Sequence, residues 1–155
     1  ANLARRQRRI HAKEGADAPN KVAVFEQLMD SATLVVTANT STLYAYSGTD
    51  LANDGPTVIE VPPGMLGFLD DSWQRFVGNI GVTGPDKGRG GKYLILPPGF
   101  RKDKVPAGYI PLPSDTCQGY ALLRSVLESG SPIVPFHSRA RTGLQVAAGD
   151  VSVRP

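Results

Sequence analysis

Two Pro-Pro-Gly stops are the feature that most constrains the fold of this chain. Pro62-Pro63-Gly64 follows the β-branched run Thr57–Val61, and Pro97-Pro98-Gly99 follows the apolar residues 93–96. Proline has no backbone N–H and cannot continue a strand inside a sheet, so each stop ends a short strand. With 17 glycines and 13 prolines in 155 residues, the sequence predicts many turns and short strands rather than a helical bundle.

The remaining β-branched and aromatic runs predict further strands. These lie at 34–36, 43–47 and 109–112. Residues 72–80 fit either a helix or a strand, and their β-branched and aromatic content favours the strand. The polar cluster 37–42 predicts a turn, because Asn, Ser and Thr side chains bond their own backbone. Residues 65–71 are interpreted as a loop with buried apolar side chains.

Helical spacing predicts two helices. The first is capped by Asn20, and its apolar side consists of Val22, Phe25, Leu28 and Met29. The second begins at one of the residues 114–116, and its apolar stripe consists of Tyr120, Leu123 and Leu127.

One domain accounts for most of the chain. We expect a basic N-terminal arm at 1–19, a β-rich domain at 20–128 and a weakly ordered tail at 129–155. The arm concentrates Arg5, Arg6, Arg8, Arg9 and Lys13. Clustered arginine suits phosphate binding, but no aromatic side chains are interleaved with it. A solvated helix end is therefore favoured, and nucleic acid is not a predicted partner.

Residue counts argue against several classes of site. The single cysteine, Cys117, excludes an intramolecular disulfide framework. Only His11 and His137 could add imidazole ligands, so neither a metal site nor a cofactor is predicted. No window approaches the roughly 18 apolar residues of a membrane span, and the chain shows no apolar signal-peptide core.

A glycine-dense loop at 84–92 suggests a phosphate cradle, because closely spaced glycines let backbone N–H groups approach a ligand. Its only Gly-Lys pair is Gly91-Lys92, with Asp86 five residues before the glycine of that pair and Tyr93 directly after the lysine. Neither the nucleotide P-loop nor the dinucleotide fingerprint has this spacing. We interpret the loop as a connection between strands and keep Lys92 as a ligand candidate.

Several segments follow one another in a recognisable order. They are TANTSTLY at 37–44, GPTVIEVP at 55–62, PGMLGFLDDSWQRFV at 63–77, NIG at 79–81, the loop at 84–92 and VPAGY at 105–109. Together they resemble the family called domain of unknown function 1254 (DUF1254), over residues 22–127. No single segment is specific for this family, but the long series of segments in this order is.

The resemblance implies a mainly β (α+β) domain, an antiparallel β-sandwich or jelly-roll-like sheet with a few peripheral helices. Family members usually carry a second β-rich domain (DUF1214), and many are exported bacterial proteins. The resemblance therefore implies a DUF1214-like partner domain and a periplasmic or secreted location. It brings no established activity and no catalytic residues.

Two departures from the family pattern matter. Ser41 stands at the polar third position of the 39–44 turn, which weakens a role for a carboxylate or amide there. No DUF1214-like segment follows in this sequence. A truncated or single-domain product would expose the surface meant for that second domain.

Two hypotheses about function follow, and enzymatic activity is left open between them. One is a small-molecule or catalytic pocket. Its predicted lining is Asn39, Thr42, Tyr44, Asp71, Trp73, Arg75 and Lys92. The other is a non-catalytic module that pairs with another domain or with a second copy in a homo-oligomer. Convergence of the seven side chains in one cavity favours the pocket.

The adjacent Asp70 and Asp71 allow two interpretations of their own. Beside Trp73 and Arg75 they could form an acid/base pair against an aromatic wall, since an apolar pocket raises a carboxyl pKa. Alternatively, they mark a turn with an arginine neighbour, which is the interpretation that sequence reasoning favours.

Overall fold

The structure, a computed structural model, describes residues 22–24, 41–100, 105–125 and 145–148. These residues form nine strands and one helical turn. In chain order they are β1 (Val22–Val24), β2 (Tyr44–Asp50), α1 (Leu51–Asp54), β3 (Thr57–Val61), β4 (Met65–Asp71), β5 (Phe76–Gly81), β6 (Gly91–Leu96), β7 (Tyr109–Pro113), β8 (Gln118–Ser125) and β9 (Gln145–Ala148).

The strands form two sheets. The five-stranded sheet has the order β1-β2-β8-β4-β5, and the four-stranded sheet has the order β7-β6-β3-β9. Every neighbouring pair is antiparallel except β6 and β7, which run parallel. In the five-stranded sheet β8 lies at the centre and pairs along its length with β2 and β4.

The inner faces of the two sheets share one hydrophobic core. The five-stranded sheet contributes residues such as Leu69, Ile80 and Leu123, and the four-stranded sheet contributes Ile59 and Ile95. Alternate residues of a strand point to opposite faces. The outer face of the four-stranded sheet is therefore separate, and there Phe100, Val105 and Tyr109 pack on Val58, Leu94 and Leu96. This layering confirms the predicted mainly β sandwich.

Several local predictions are confirmed by the strand positions. The runs at 57–61, 93–96 and 109–112 lie in β3, β6 and β7. The run at 43–47 lies in β2, which continues to Asp50, and most of the ambiguous 72–80 stretch lies in β5. Asp50 ends β2 and caps α1 by accepting a hydrogen bond from the backbone N–H of Asn53.

The predicted helix carrying Tyr120 and Leu123 is wrong, because residues 118–125 form β8. The buried residues Ala121, Leu123 and Ser125 alternate with more exposed ones. That period of two is the strand pattern. The spacing of Tyr120, Leu123 and Leu127 fits a helix equally well, so pairing with β2 and β4 decides between the two.

Three other predictions need correction or lie partly outside the described residues. The predicted loop at 65–71 is wrong, since this segment is β4. The predicted first helix is wrong at Val22–Val24, which form a strand, and its remainder lies outside the described residues, as do the strand at 34–36 and the turn residues 37–40. Within the segment predicted as a weakly ordered tail, Gln145–Ala148 pairs with β3. No helix in the described ranges is long and apolar enough to cross a membrane.

Candidate functional site on the β4–β5 hairpin

The turn between β4 and β5 is organised by one buried carboxylate, that of Asp71. Its side chain is 2% exposed. Oδ1 accepts hydrogen bonds from the backbone N–H groups of Trp73 (2.8 Å) and Arg75 (2.9 Å). Oδ2 accepts from Arg75 Nε at 2.9 Å and lies 2.8 Å from Arg75 Nη2. Asp71 therefore fixes the backbone of the turn and the guanidinium above it.

The pKa of Asp71 reflects two opposing effects. Burial alone would raise it, but the backbone N–H groups of Arg75 and Trp73 and the Arg75 guanidinium hold the pKa below its usual value. Asp71 is thus the turn carboxylate with an arginine neighbour that sequence reasoning favoured. Its oxygens are already engaged, so it is poorly placed to serve as a base.

This turn presents aromatic side chains to solvent. Trp73 is 70% exposed and Phe76, the first residue of β5, is 63% exposed. The backbone N–H of Ser72 also donates a hydrogen bond to Thr116 Oγ1 at 3.3 Å, in the segment that precedes β8. The indole of Trp73 therefore projects from a turn whose backbone is held at several points.

Asp70 lies on the opposite face of β4 from Asp71. It is half-buried on the outer face of the five-stranded sheet, where Tyr120 donates a hydrogen bond from its hydroxyl to Asp70 Oδ2 at 3.1 Å. Burial raises the pKa of Asp70, the hydrogen bond from Tyr120 lowers it, and the charge of Asp71 raises it further, with a net increase. The two adjacent aspartates therefore shift in opposite directions.

Two aromatic rings contact Tyr120, the hydrogen-bond partner of Asp70. The ring of Tyr120 stacks on Tyr46 with centroids 5.6 Å apart, and meets Phe68 edge-on at 6.3 Å. Burial, and then the neighbouring Asp70 charge, raise the pKa of Tyr120. Sequence reasoning missed this cluster, because Tyr120 was assigned to a helix and lies 50 residues from Asp70. The available signal was strand alternation, which puts Tyr46, Phe68, Asp70 and Tyr120 on one sheet face.

Of the six predicted lining residues that the structure describes, it brings three together, namely Asp71, Trp73 and Arg75. The partners of Tyr44 and Asp71 both lie in β8, where Tyr44 pairs with Arg124 and Asp71 pairs with Gly119. Five residues of a strand span about 17 Å, so Tyr44 and the preceding Thr42 lie at the far end of the sheet from Asp71.

Lys92 lies in a different sheet from Asp71. It belongs to the four-stranded sheet, where its Nζ lies 3.8 Å from Glu60 Oε2. Asn39 is outside the described residues. Ligand binding by the seven stays a prediction, and no group of three or more metal-ligating side chains occurs in the part of the chain that the structure describes.

The glycine-dense loop is built around a second buried carboxylate. Asp86, which sequence reasoning treated as a loop charge, is 5% exposed. It accepts hydrogen bonds from the Tyr93 hydroxyl and, at 2.9 Å, from the backbone N–H of Gly90. The Tyr93 oxygen in turn accepts from Gly81 N at 3.1 Å. The loop is therefore a fixed connection between β5 and β6, in agreement with the interpretation from its spacing.

Comparison with known proteins agrees with this architecture. The family model described as "Protein of unknown function (DUF1254)" matches residues 19–147. The crystal structure of the VPA0106 protein from Vibrio parahaemolyticus is similar with a TM-score of 0.56 and 17% identity, over 72% of this chain and 29% of that one. That identity shows a shared fold alone, and this chain spans less than a third of the VPA0106 chain. No curated protein matches the chain.

Proposed function

Because this chain belongs to the DUF1254 family, whose members are proteins of unknown function, we propose its role from its geometry. The chain is an interaction module, and its β4–β5 hairpin presents Trp73 to an apolar surface of another domain or subunit. The observation that carries this proposal is an exposed tryptophan on a turn braced by a buried carboxylate.

The energetic argument starts from the exposed indole. Covering the exposed 70% of Trp73 would remove about 170 Å² from water, worth about 4 kcal/mol before the cost of association. Tryptophan is among the residue types that most often dominate binding energies. Since Asp71 already orders the backbone of the turn, docking would not have to order it again.

Two partners fit the proposal. One is the second β-rich domain that the family resemblance implies, and the VPA0106 chain, of which only 29% is matched, is long enough to contain further domains. The other is a second copy of this chain. Each partner would cover Trp73 with an apolar surface. Association with a second copy depends only on the concentration of this chain, whereas association with a separate domain depends also on the concentration of that domain.

The test uses Trp73 as its own reporter, since the chain has a single tryptophan. Fluorescence and sedimentation velocity are measured over a concentration series, and then in a titration with a separately produced DUF1214 domain. We expect the emission to move to shorter wavelength as a complex forms in one of the two series. Trp73→Ala should weaken that complex at least tenfold, as measured by sedimentation.

Val82→Ala provides the matched control, because Val82 is also an exposed apolar residue, at 48%, in the turn that follows β5. It should leave association unchanged. The proposal is wrong if neither series produces a complex, or if Trp73→Ala associates as well as the wild-type chain.

The pocket hypothesis has less support from the geometry. Only Asp71, Trp73 and Arg75 are neighbours, and the carboxylate among them is engaged by two backbone N–H groups and a guanidinium. A catalytic role is therefore not part of this proposal.

A further inference from the structure

The outer face of the five-stranded sheet carries a carboxylate, that of Asp70, which no cation of the described residues neutralises. Among the described residues the ion pairs are Arg75–Asp71, Arg75–Asp115 and Lys92–Glu60. Asp70 takes part in none of them. Its one hydrogen bond comes from the neutral hydroxyl of Tyr120 and reaches Oδ2, which leaves Oδ1 available. A half-buried carboxylate that has no cationic partner among the described residues attracts a positive charge.

Aromatic side chains flank Asp70 on both neighbouring strands. Tyr120 of β8 is its direct cross-strand partner, and Phe76 of β5 is paired with it beside a register shift between Leu69 and Asp70. Side chains in regular cross-strand positions, such as those of Asp70 and Tyr120, have Cβ atoms about 4.5–5.5 Å apart. Tyr120 is held in place by Tyr46 and Phe68, whereas Phe76 is 63% exposed and offers its ring to a ligand.

The cations of the described residues nearest to Asp70 in the sheet are not paired with it. The Arg75 guanidinium is held by Asp71, with Asp115 at 3.9 Å. Arg124 lies on the same strand as Tyr120 but four residues further along it, about 13 Å away. Asp71, on the opposite face, adds a second negative charge nearby.

We propose that Asp70, Tyr120 and Phe76 form a binding site for a small organic cation, such as an ammonium compound. The carboxylate oxygen supplies the counter-charge, and the aromatic rings supply cation–π attraction within about 6 Å of their centroids. A single carboxylate offers too few ligands for a Ca²⁺ or Mg²⁺ ion, which take six or more oxygens. This site is independent of Trp73 and of the docking role proposed for it.

The test is a titration of the ¹⁵N-labelled chain with tetramethylammonium chloride, followed by two-dimensional NMR. tert-Butanol serves as a neutral probe of similar shape, and sodium chloride controls for ionic strength. We expect saturable shifts at the amides of Asp70, Phe76 and Tyr120 with tetramethylammonium alone. The pKa of the Asp70 carboxyl, measured by ¹³C NMR, should fall when the probe is bound, because a bound cation favours the charged form.

Asp70→Asn should weaken binding of tetramethylammonium at least tenfold, since it removes the charge and keeps the shape. Phe76→Leu, which removes only the exposed ring, should weaken it about threefold and supplies a second variant if Asp70→Asn does not fold. Glu60→Gln, on the other sheet, is the matched control and should bind as the wild type does. Equal shifts with tert-butanol, unchanged binding in Asp70→Asn, or no saturable shift at these amides would each overturn the proposal.

Discussion

Replacing Tyr93 by phenylalanine tests whether the buried polar contacts of the glycine-dense loop hold β5 and β6 together. Tyr93 is fully buried, and its hydroxyl donates to Asp86 and accepts from the backbone N–H of Gly81. Phenylalanine keeps the ring and removes one oxygen. The substitution therefore removes two hydrogen bonds with little change in packing.

The magnitude follows from what is left unpaired. A hydrogen bond to a charged group contributes about 1.5–3 kcal/mol, and a buried N–H left without a partner costs about 1–3 kcal/mol. These two effects overlap, since both act through one oxygen. We expect Tyr93→Phe to lower the free energy of unfolding by about 3 kcal/mol and the melting temperature by about 6–12 °C, at about 2–4 °C per kcal/mol for a chain of this size.

The assay is urea unfolding followed by circular dichroism, with the slope of the transition compared between variants. Tyr109→Phe is the matched control, because Tyr109 is a partly exposed tyrosine of β7 whose hydroxyl makes no hydrogen bond among the described residues. It should change stability by less than about 0.5 kcal/mol. A double-mutant cycle with Asp86→Asn should give a coupling of at least about 1 kcal/mol.

The reasoning is refuted if Tyr93→Phe loses no more stability than Tyr109→Phe. A coupling near zero between Tyr93 and Asp86 would also refute it, since the two side chains would then act independently.

Two further predictions concern single polar side chains. The pKa of Asp71 is lower in the folded chain than its ordinary 3.8, so the stabilising contribution of Asp71 is present above pH 3.8 and is lost as the pH falls through the folded pKa. The pKa of Asp70 is raised, so the stabilising contribution of Asp70 is present below pH 3.8 and is lost as the pH rises through the folded pKa. Asp71→Asn should therefore make the loss of stability in acid less steep, and Asp70→Asn should make it steeper. The measurement is the free energy of unfolding from pH 3 to 7, about the range in which carboxyl groups titrate. Identical pH profiles for the two variants would contradict the assignment. Thr49 is 5% exposed, and its hydroxyl has no hydrogen-bond partner within the part of the chain that the structure describes. Thr49→Val should therefore be neutral or stabilising by up to about 1 kcal/mol, whereas Thr57→Val, which removes a donor to the Gly55 carbonyl at 3.2 Å, should be destabilising by about 1 kcal/mol. Equal losses in thermal melts of the two variants would contradict this.

The strands that could be predicted from the sequence are those whose own residues strongly favour the strand conformation and mark its end. Thr57–Val61 is β-branched at four of its five positions and is followed by two prolines, so both its strand conformation and its end are determined locally. The same holds for residues 93–96 before Pro97. The family resemblance extended this local reasoning to the whole domain, because it rests on the order of many weak motifs rather than on one.

The candidate site could be predicted only in part. Asp71, Trp73 and Arg75 lie within five residues of one another, and a turn brings such neighbours together whatever the rest of the chain does. Tyr120 reaches Asp70 from another strand, and no local pattern reports a contact between residues so far apart in sequence. Lys92 and Tyr44 were grouped with the turn residues by type, and the strand order separates them.

Gly67 shows a different kind of limit. Residues 65–71 were predicted to form a loop, yet Gly67 lies in β4 beside the central strand. A side-chain Cβ at this position would clash with the Leu122 carbonyl oxygen. The glycine therefore reflects a close approach between two backbones, and that approach exists only after β4 and β8 have paired.

The sequence by itself determined that this chain makes short strands separated by proline and glycine turns, and that it belongs with the DUF1254 proteins. Only the tertiary structure decided which sheet each strand joins, and thereby which face each side chain occupies. Asp70 and Asp71 show the consequence, since two identical neighbours in sequence become a half-buried outer carboxylate and a fully engaged inner one. The physical reason is that alternation along a strand is a local property, whereas the core and the solvent are placed on its two sides by residues far away in the chain.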